Sequence, residues 1–193
     1  EIDNGIVEIL RDVVTDIENV RVIHGDALTL DWSPLVKVST HWHVIANLPY
    51  NVATPLVADL LDRVPEVEHM LVMVQREVAE RFVAAPRTPA YGAVSVKIGY
   101  WAEARIVGDV PATVFFPKPK VASALVDIRR RPTTAVNDVV AGELFALVRA
   151  GFSQRRKMLR RALSGLVPAD VFTIAEVSPE SRAEELDLAA WGR

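Results

Sequence analysis

The sequence predicts an α/β protein with a mostly parallel sheet, followed by a small helical domain. Short apolar runs alternate with helix-period segments in the first half of the chain, two strand-like segments flank a proline-rich stretch, and no strand-like run follows residue 132. Uninterrupted apolar runs are typical of parallel strands that are covered on both faces. The alternation of strands and helices predicts right-handed crossover connections.

The first half supplies the predicted parallel strands and their connecting helices. Apolar runs that predict strands lie at residues 20–24, 43–46 and 70–74. Segments with helical spacing of apolar residues lie at residues 4–13, 54–63 and 75–85. Thr54 is a candidate N-cap because its hydroxyl can accept a backbone hydrogen bond, and Pro55 suits the first helical position because it lacks an N–H.

Two further strands are predicted after these elements, at residues 95–107 and 121–130. The segment between them contains Pro111, Pro117 and Pro119 and has no helical period. We therefore expect an antiparallel pair at the edge of the sheet, joined by a loop that the prolines stiffen.

The remainder of the chain is predicted to be helical. Helical patterns lie at residues 138–152, 155–166 and 169–176. Asp187 is a candidate cap for a last helix. Because the strands end near residue 132, we predict a first domain over residues 1–132 and a helical domain over residues 133–193.

The composition is that of an ordinary globular protein. Half of the 193 residues are hydrophobic, and none is cysteine, which excludes disulfides and thiolate metal sites. No apolar stretch reaches the length of a membrane span, so we expect a cytoplasmic protein. His41 and His43 alternate on one predicted strand face, but no third ligand accompanies them, and we predict no metal site.

Charge is distributed unevenly along the chain, although the net charge is only −3. Residues 1–60 carry nine acidic and three basic side chains, whereas residues 149–161 carry six basic and no acidic side chains. Such a local excess of positive charge permits one surface to bind a polyanion such as a nucleic acid.

The tetrapeptide Asn47-Leu48-Pro49-Tyr50 directly follows a predicted strand. Ligands of open parallel sheets bind beyond the carboxyl ends of the strands, and these residues suit methylation of an exocyclic base amine. The Asn47 side-chain oxygen and the Leu48 carbonyl would accept the two amine hydrogens and direct the nitrogen lone pair at a methyl donor. Pro49 would brace the loop, and Tyr50 would stack on the base. The alternative is an ordinary loop with a turn proline.

Two carboxylates are candidates for contacts with a nucleotide-like cofactor. Asp26 follows the strand predicted at residues 20–24 and could accept hydrogen bonds from an amine or from hydroxyls, although Gly25-Asp26 is also a common turn sequence. Glu1 would accept hydrogen bonds from ribose hydroxyls if it ends a strand, as carboxylates do in dinucleotide-binding folds.

Residues 114–126 place aromatic rings beside lysines. Phe115 and Phe116 precede a Pro-Lys-Pro-Lys segment that is too stiff to bury both rings in a regular element. A flipped base and its phosphate require a stacking face with nearby cations, which Lys118 and Lys120 would supply. The alternative is that the rings pack beneath the loop.

A basic segment, residues 152–163, combines apolar positions that can face a core with a positively charged flank. The flank consists of Arg155, Arg156, Lys157, Arg160 and Arg161. Because no acidic residue is interleaved, the flank suits the backbone of a structured RNA. The alternative is a charged face that only contacts solvent.

Taken together, these segments resemble the KsgA-type ribosomal RNA small-subunit adenine dimethyltransferases. The resemblance runs from end to end of the chain. It is carried by the strings EID (1–3), GDAL (25–28), NLPYNVATPL (47–56), VQREVAERFVAAP (74–86), YGAVSV (91–96), FFPKPKVASALV (115–126), FSQRRKMLRRAL (152–163) and RAEEL (182–186). Their order and spacing make the resemblance more specific than any single string.

This resemblance implies a Rossmann-like S-adenosylmethionine-dependent methyltransferase domain with a C-terminal helical domain that binds RNA or the ribosome. It implies dimethylation of N6 of two adjacent adenosines near the 3′ end of 16S ribosomal RNA, within small-subunit biogenesis. The implied cofactor-binding residues are Glu1, Ile2, Asp26, Ala27 and Asn47. The implied catalytic residues are Asn47, Leu48, Pro49, Tyr50 and Phe115. The implied RNA-binding residues are Lys118, Lys120, Arg155, Arg156, Lys157, Arg160 and Arg161.

The sequence departs from the family pattern at its beginning. The family has a first strand and a glycine-rich E-x-G-x-G cofactor loop before the position of Glu1, and neither is found in this sequence. We therefore expect an N-terminally truncated, monomeric chain with little activity of its own. Two alternatives remain open at this point: an assembly factor that mainly binds the immature small subunit, and a methyltransferase that acts on large-subunit RNA.

Overall fold

The computed structural model describes all 193 residues. The helices are α1 (Asn4–Val13), α2 (Ser33–Val36), α3 (Ala53–Arg63), α4 (Arg76–Val83), α5 (Ala93–Trp101), α6 (Ala141–Ser153), α7 (Leu159–Ala162), α8 (Ala169–Ile174) and α9 (Leu188–Gly192). The strands are β1 (Trp42–Asn47), β2 (Val67–Gln75), β3 (Ala102–Val110) and β4 (Ser123–Arg130). Single 3₁₀ turns lie at Ala112–Val114 and Ala183–Glu185. None of the helices combines the length and apolar character needed to cross a bilayer.

The four strands form one mixed sheet in the order β1-β2-β4-β3. Strand β1 runs parallel to β2, while β4 is antiparallel to both of its neighbours. The predicted antiparallel pair, with β3 at the sheet edge, is therefore confirmed. Because β4 runs opposite to β1 and β2, its first residue lies at the same end of the sheet as their last residues. This end carries residues 47–50, the predicted acceptor loop.

The prediction of a strand at residues 20–24 is wrong. This segment is extended but pairs with no strand, and its only ladder-like hydrogen bonds go to Glu1. The Glu1 amino group donates to Ile23 O over 3.1 Å, and Gly25 N donates to Glu1 O over 2.9 Å. An apolar run forms a strand only where a neighbouring backbone offers a continuous row of partners.

The prediction of a strand over residues 95–101 is also wrong, because these residues lie in α5. This helix packs between two hydrophobic clusters: Ile98 belongs to the first cluster, whereas Val96 and Tyr100 belong to the second. Apolar residues on several faces conceal the 3.6-residue period on which sequence-based recognition of a helix depends. A local signal does exist, since Ser95 Oγ accepts a hydrogen bond from Gly92 N at the start of the helix.

The start of α3 differs from the predicted cap. Its N-cap is Val52, and Thr54 and Pro55 lie within the first turn. Pro49 O accepts hydrogen bonds from the amides of Val52 and Ala53, both over 3.1 Å, so the acceptor loop turns directly into the helix. Proline is tolerated anywhere in a first turn, where its missing N–H has no helical partner.

The helix predicted over residues 155–166 is reduced to the four residues of α7. Met158 has an extended backbone and forms an isolated antiparallel bridge with Arg182. Leu159 N donates to Ser181 O over 2.8 Å. These contacts with a distant segment draw the chain out of the helical conformation that its local sequence favours.

The core consists of two hydrophobic clusters. The first lies between one face of the sheet and helices α3, α4 and α5. The second lies among the C-terminal helices, but it also contains Tyr91, Val96 and Tyr100. Gly151 permits a close approach within it, because a Cβ atom there would lie 2.6 Å from the Trp191 ring. The domain boundary near residue 132 stays a prediction.

Arg130, at the end of β4, holds the last turn of α3 against the sheet. Its half-buried guanidinium donates to main-chain carbonyls at distances of 2.8–3.2 Å. The acceptors are Leu60, Leu61, Val64 and Val67. A helix leaves its last carbonyls without intrahelical partners, so a cation at this position both satisfies these oxygens and interacts favourably with the helix dipole.

We predict that Arg130→Ala lowers the free energy of unfolding by about 2–4 kcal/mol, because several inward-facing carbonyls lose their donors together. Urea unfolding monitored by tryptophan fluorescence measures the change. Arg11→Ala is the matched control, since the Arg11 side chain is exposed and has no hydrogen-bond partner. Equal stability of the two variants would contradict the role assigned to Arg130.

Candidate active site and nucleic-acid interface

The acceptor loop, residues 47–50, is held between the sheet and α3. Asn47 is the last residue of β1 and pairs with Met73 of β2. Leu48 N donates to Met73 O over 3.1 Å, and the Leu48 side chain is buried in the first cluster. Pro49 O starts the turn into α3. The loop backbone is therefore fixed on both sides of the tetrapeptide.

Two acceptors of the acceptor loop remain without a partner in the protein. The exposed Asn47 side chain makes no hydrogen bond, and no donor reaches the Leu48 carbonyl. Main-chain carbonyls in a fixed loop normally find a partner in the protein or in water. The arrangement therefore offers two neighbouring acceptors to a ligand with two N–H donors.

Tyr50 connects the acceptor loop to β4. Its hydroxyl lies 3.3 Å from the Ser123 hydroxyl, and 38% of the tyrosine is exposed. The segment that precedes Ser123 contains Phe115, which is half-buried, and Phe116, which is fully exposed. The rings of Tyr50 and Phe115 do not stack on each other. Their sandwiching of a base stays a prediction.

The two predicted cofactor carboxylates lie on segments that are hydrogen-bonded to each other. The Glu1 backbone accepts from Gly25 N, which places Glu1 next to Asp26. Glu1 Oε1 accepts from the amides of Asp3 and Ile2, and these hydrogen bonds lower the pKa of its carboxyl group from the ordinary value. Glu1 is therefore an ionised, exposed acceptor at neutral pH.

Asp26 begins a tight turn. Its Oδ1 accepts from Leu28 N over 2.9 Å, so one carboxylate oxygen is used within the turn. Ala27 packs against the first hydrophobic cluster, whereas Ile2 is exposed. Carboxylates that keep free lone pairs are suited to the hydroxyls and amine of an adenosine group. No hydrogen bond joins this segment to Asn47, so the predicted cofactor site is composed of two separately held parts.

The predicted RNA-binding cations differ in how they are used. Arg155 donates to Glu184 over 2.5 Å and to Pro89 O over 2.9 Å, so it joins distant parts of the chain. The other cations are exposed and form no ion pair within the protein. They are Lys118, Lys120, Arg156, Lys157, Arg160 and Arg161. These six side chains are available to a polyanion.

Comparison with known proteins identifies the family. The ribosomal RNA adenine dimethylase family matches residues 1–192. This chain belongs to the ribosomal RNA adenine dimethylase family. It is 43% identical to the ribosomal RNA small subunit methyltransferase A of Acidothermus cellulolyticus, over 98% of this chain and 67% of that protein. The corresponding protein of Thermobifida fusca is also 43% identical, over 100% of this chain and 69% of its own length.

Solved structures share the fold of this dimethylase. A dimethyladenosine transferase from Plasmodium falciparum superposes with a TM-score of 0.81 at 22% identity, over 99% of this chain and 77% of that chain. The 23S rRNA methyltransferase ErmE superposes with a TM-score of 0.69 at 23% identity, with the same two coverages. The predicted Rossmann-like methyltransferase fold and the predicted methyltransferase class are therefore confirmed.

Sequence reasoning missed a polar cluster on the open face of the dimethylase sheet. Its centre is Asp127, which is buried in β4 and accepts hydrogen bonds from His69, Arg105 and Arg129. Burial alone would raise the pKa of Asp127, but the hydrogen bonds from these three side chains outweigh it and lower the pKa to about 2. The available signal was an aspartate inside an otherwise apolar strand, which requires charged partners.

This pKa predicts a specific dependence of stability on pH. The aspartate of an unfolded chain has a pKa of about 3.9, so the Asp127 charge stabilises the fold above that pH. The stabilisation, about 2 kcal/mol, is lost as the pH falls through the folded-state value. The stability advantage of the wild type over Asp127→Asn should therefore shrink by about this amount between pH 5 and pH 2.

Urea unfolding at several pH values tests this expectation, because all other carboxyl groups titrate in both proteins. Asp16→Asn is the control, since Asp16 is exposed and has no side-chain partner. Its stability curve should run parallel to that of the wild type. A parallel curve for Asp127→Asn would refute the assigned role.

Proposed function

We propose that this dimethylase transfers methyl groups from S-adenosylmethionine to N6 of two adjacent adenosines near the 3′ end of 16S ribosomal RNA. The observation that carries the proposal is the pair of unpartnered acceptors, the Asn47 side chain and the Leu48 carbonyl, at the carboxyl end of a parallel strand. The 43% identity to proteins named for small-subunit RNA supports this substrate class.

The acceptor pair addresses the chemical difficulty of this reaction. The nitrogen lone pair of an exocyclic adenine amine is delocalised into the ring, so the amine is a poor nucleophile. Two acceptors that hold both N–H groups favour the pyramidal amine and direct its lone pair at the methyl donor. Because the loop backbone is fixed by Met73 O and by the turn at Pro49, the Leu48 carbonyl needs little reorganisation.

The residues that would hold S-adenosylmethionine are those of the two carboxylate segments and Asn47. Glu1 would accept hydrogen bonds from the ribose hydroxyls, and Asp26 from the adenine amine, with Ile2 and Ala27 alongside. When bound, the cofactor supplies a methyl group on a positively charged sulfur. The chain's own contribution is to align and polarise the amine, whose proton can leave after transfer, so no strong general base is needed.

The target base would have to leave its stack to reach the acceptor loop. Tyr50 is exposed enough to offer a ring face. Phe115 lies on the loop that leads into β4, the strand that carries the Tyr50 partner Ser123. The exposed Lys118 and Lys120 on this loop would contact the flanking phosphates. We further propose that the protein acts as a monomer on the immature small subunit, where the exposed cations of the basic segment contact the RNA backbone.

We predict that Asn47→Ala in the full-length protein abolishes methyl transfer to 16S ribosomal RNA while leaving RNA affinity unchanged. The expected loss is at least about a hundredfold in kcat, comparable to removal of one preorganised charge-stabilising group. Transfer of labelled methyl groups to unmethylated small subunits measures the rate, and filter binding measures the affinity. Asn137→Ala, at an exposed asparagine in the loop before α6, is the control.

Three outcomes, with small-subunit maturation as an added measurement, separate the enzyme from an assembly factor. Loss of transfer with retained binding supports the catalytic role of Asn47. Undiminished transfer would exclude the acceptor function of this loop. Unaltered small-subunit maturation in the presence of the inactive variant would instead favour a role that depends on binding alone.

We predict that Arg156→Ala combined with Lys157→Ala weakens RNA binding and reduces the slope of log affinity against log salt by about 1.5–2, because each free cation releases about one counterion. Lys37→Ala is the control, because Lys37 is an exposed lysine of the predicted first domain, directly after α2. Arg155→Ala should instead lower thermal stability, because Arg155 is already paired with Glu184. An unchanged salt slope in the double variant would remove this surface from the RNA interface.

A further inference from the structure

Ser123 is the buried partner of the predicted base-stacking tyrosine. Only 2% of its surface is exposed, and its backbone lies in the sheet opposite Gln75 and Val110. Its hydroxyl has one side-chain partner, the Tyr50 hydroxyl at 3.3 Å. Ser123 is thus fixed by the central strands of the sheet, whereas Tyr50 belongs to a loop at the end of the sheet.

This bond constrains the orientation of the tyrosine. The phenol oxygen lies on the long axis of the ring, so holding it fixes the direction in which the side chain points from the backbone. The backbone end is fixed independently, since Leu48 N is bonded to Met73 O. Holding the hydroxyl restricts the χ1 rotamers of Tyr50 before any ligand arrives, which lowers the entropic cost of stacking.

We infer that Ser123 is a positioning residue, which orients Tyr50 for stacking on the target adenosine. The inference rests on the proposed function of the acceptor loop. Because Ser123 is buried, it touches neither substrate nor cofactor and acts through Tyr50. Its hydroxyl also links the acceptor loop, which follows β1, to β4 and so to the aromatic loop, the loop before β4 that carries Phe115 and Phe116. The base would lie between these two loops.

The competing role is purely structural, in which the buried hydroxyl only satisfies its own hydrogen bond. The two roles differ in two respects. A structural role lowers stability but leaves the orientation of the Tyr50 ring and kcat/KM unchanged, whereas a positioning role changes both. Ser95→Ala is the matched control, because Ser95 is also buried and its hydroxyl donates to Arg81 O, outside the acceptor loop.

The first experiment observes Tyr50 directly and does not depend on activity. The chain contains three tyrosines, so labelling with 3-fluorotyrosine gives few fluorine NMR signals, and Tyr50→Phe assigns that of Tyr50. We expect Ser123→Ala to shift and narrow the Tyr50 signal and to leave unchanged those of Tyr91 and Tyr100, which bond to main-chain carbonyls. An unchanged Tyr50 signal in Ser123→Ala, or the same change in Ser95→Ala, overturns the inference.

The second experiment is a double-mutant cycle on methyl transfer. Tyr50→Phe keeps the ring and removes only the hydroxyl. We expect Tyr50→Phe and Ser123→Ala each to lower kcat/KM by about two- to tenfold, the range of one net hydrogen bond. The double variant should be no worse than either single variant. Multiplied effects in the double variant would mean that Ser123 acts independently of Tyr50, which overturns the inference.

The two experiments distinguish failure of the proposed function from failure of the positioning role. If the full-length protein transfers no methyl group to unmethylated small subunits, the proposed function fails, and the fluorine signal alone still decides whether Ser123 orients Tyr50. If transfer occurs and the fluorine signal is insensitive to Ser123, the proposed function stands and the positioning role is rejected.

Discussion

Seven residue pairs join β2 to β4, from His69 opposite Arg129 to Gln75 opposite Ser123, and this antiparallel ladder supports both the acceptor loop and the loop that carries Phe115. On one side of it, β1 adds in parallel and brings the acceptor loop to the carboxyl end of the sheet. Within the ladder, the reversed direction of β4 brings the aromatic loop, which precedes β4, to the same end. Without the antiparallel strand, the two loops would leave opposite ends of the sheet.

The ladder also explains how polar side chains are distributed over the protein. Asp127 accepts hydrogen bonds from its three partners on the open face of the sheet. Arg130 holds the end of α3 at the end of the ladder opposite to the acceptor loop. At the end of the ladder that carries the acceptor loop, the Asn47 side chain and the Leu48 carbonyl are left unpaired. The protein therefore satisfies its polar groups where they support the scaffold and leaves acceptors free where a substrate amine would bind.

Structural features that are determined by neighbouring residues in the sequence were predictable. Helix α1 is found at its predicted residues, and Asp187 caps the last helix with its side chain. Features that depend on distant contacts were not predictable. The 20–24 run lacks a strand partner, α5 is apolar on several faces because two clusters enclose it, and Met158 is drawn out of a helix by Arg182. Ser123 likewise acquires its significance only from a tyrosine 73 residues away.

Helix α5 contributes to both hydrophobic clusters, so the acceptor loop and the basic segment are attached to one rigid element. Under the proposed function, an RNA bound to the exposed cations would meet the acceptor loop at a fixed separation. Distance along the folded RNA would then select the adenosine that is presented. Selection by distance would let the enzyme recognise its target by the shape of the surrounding RNA, with little need to read neighbouring bases.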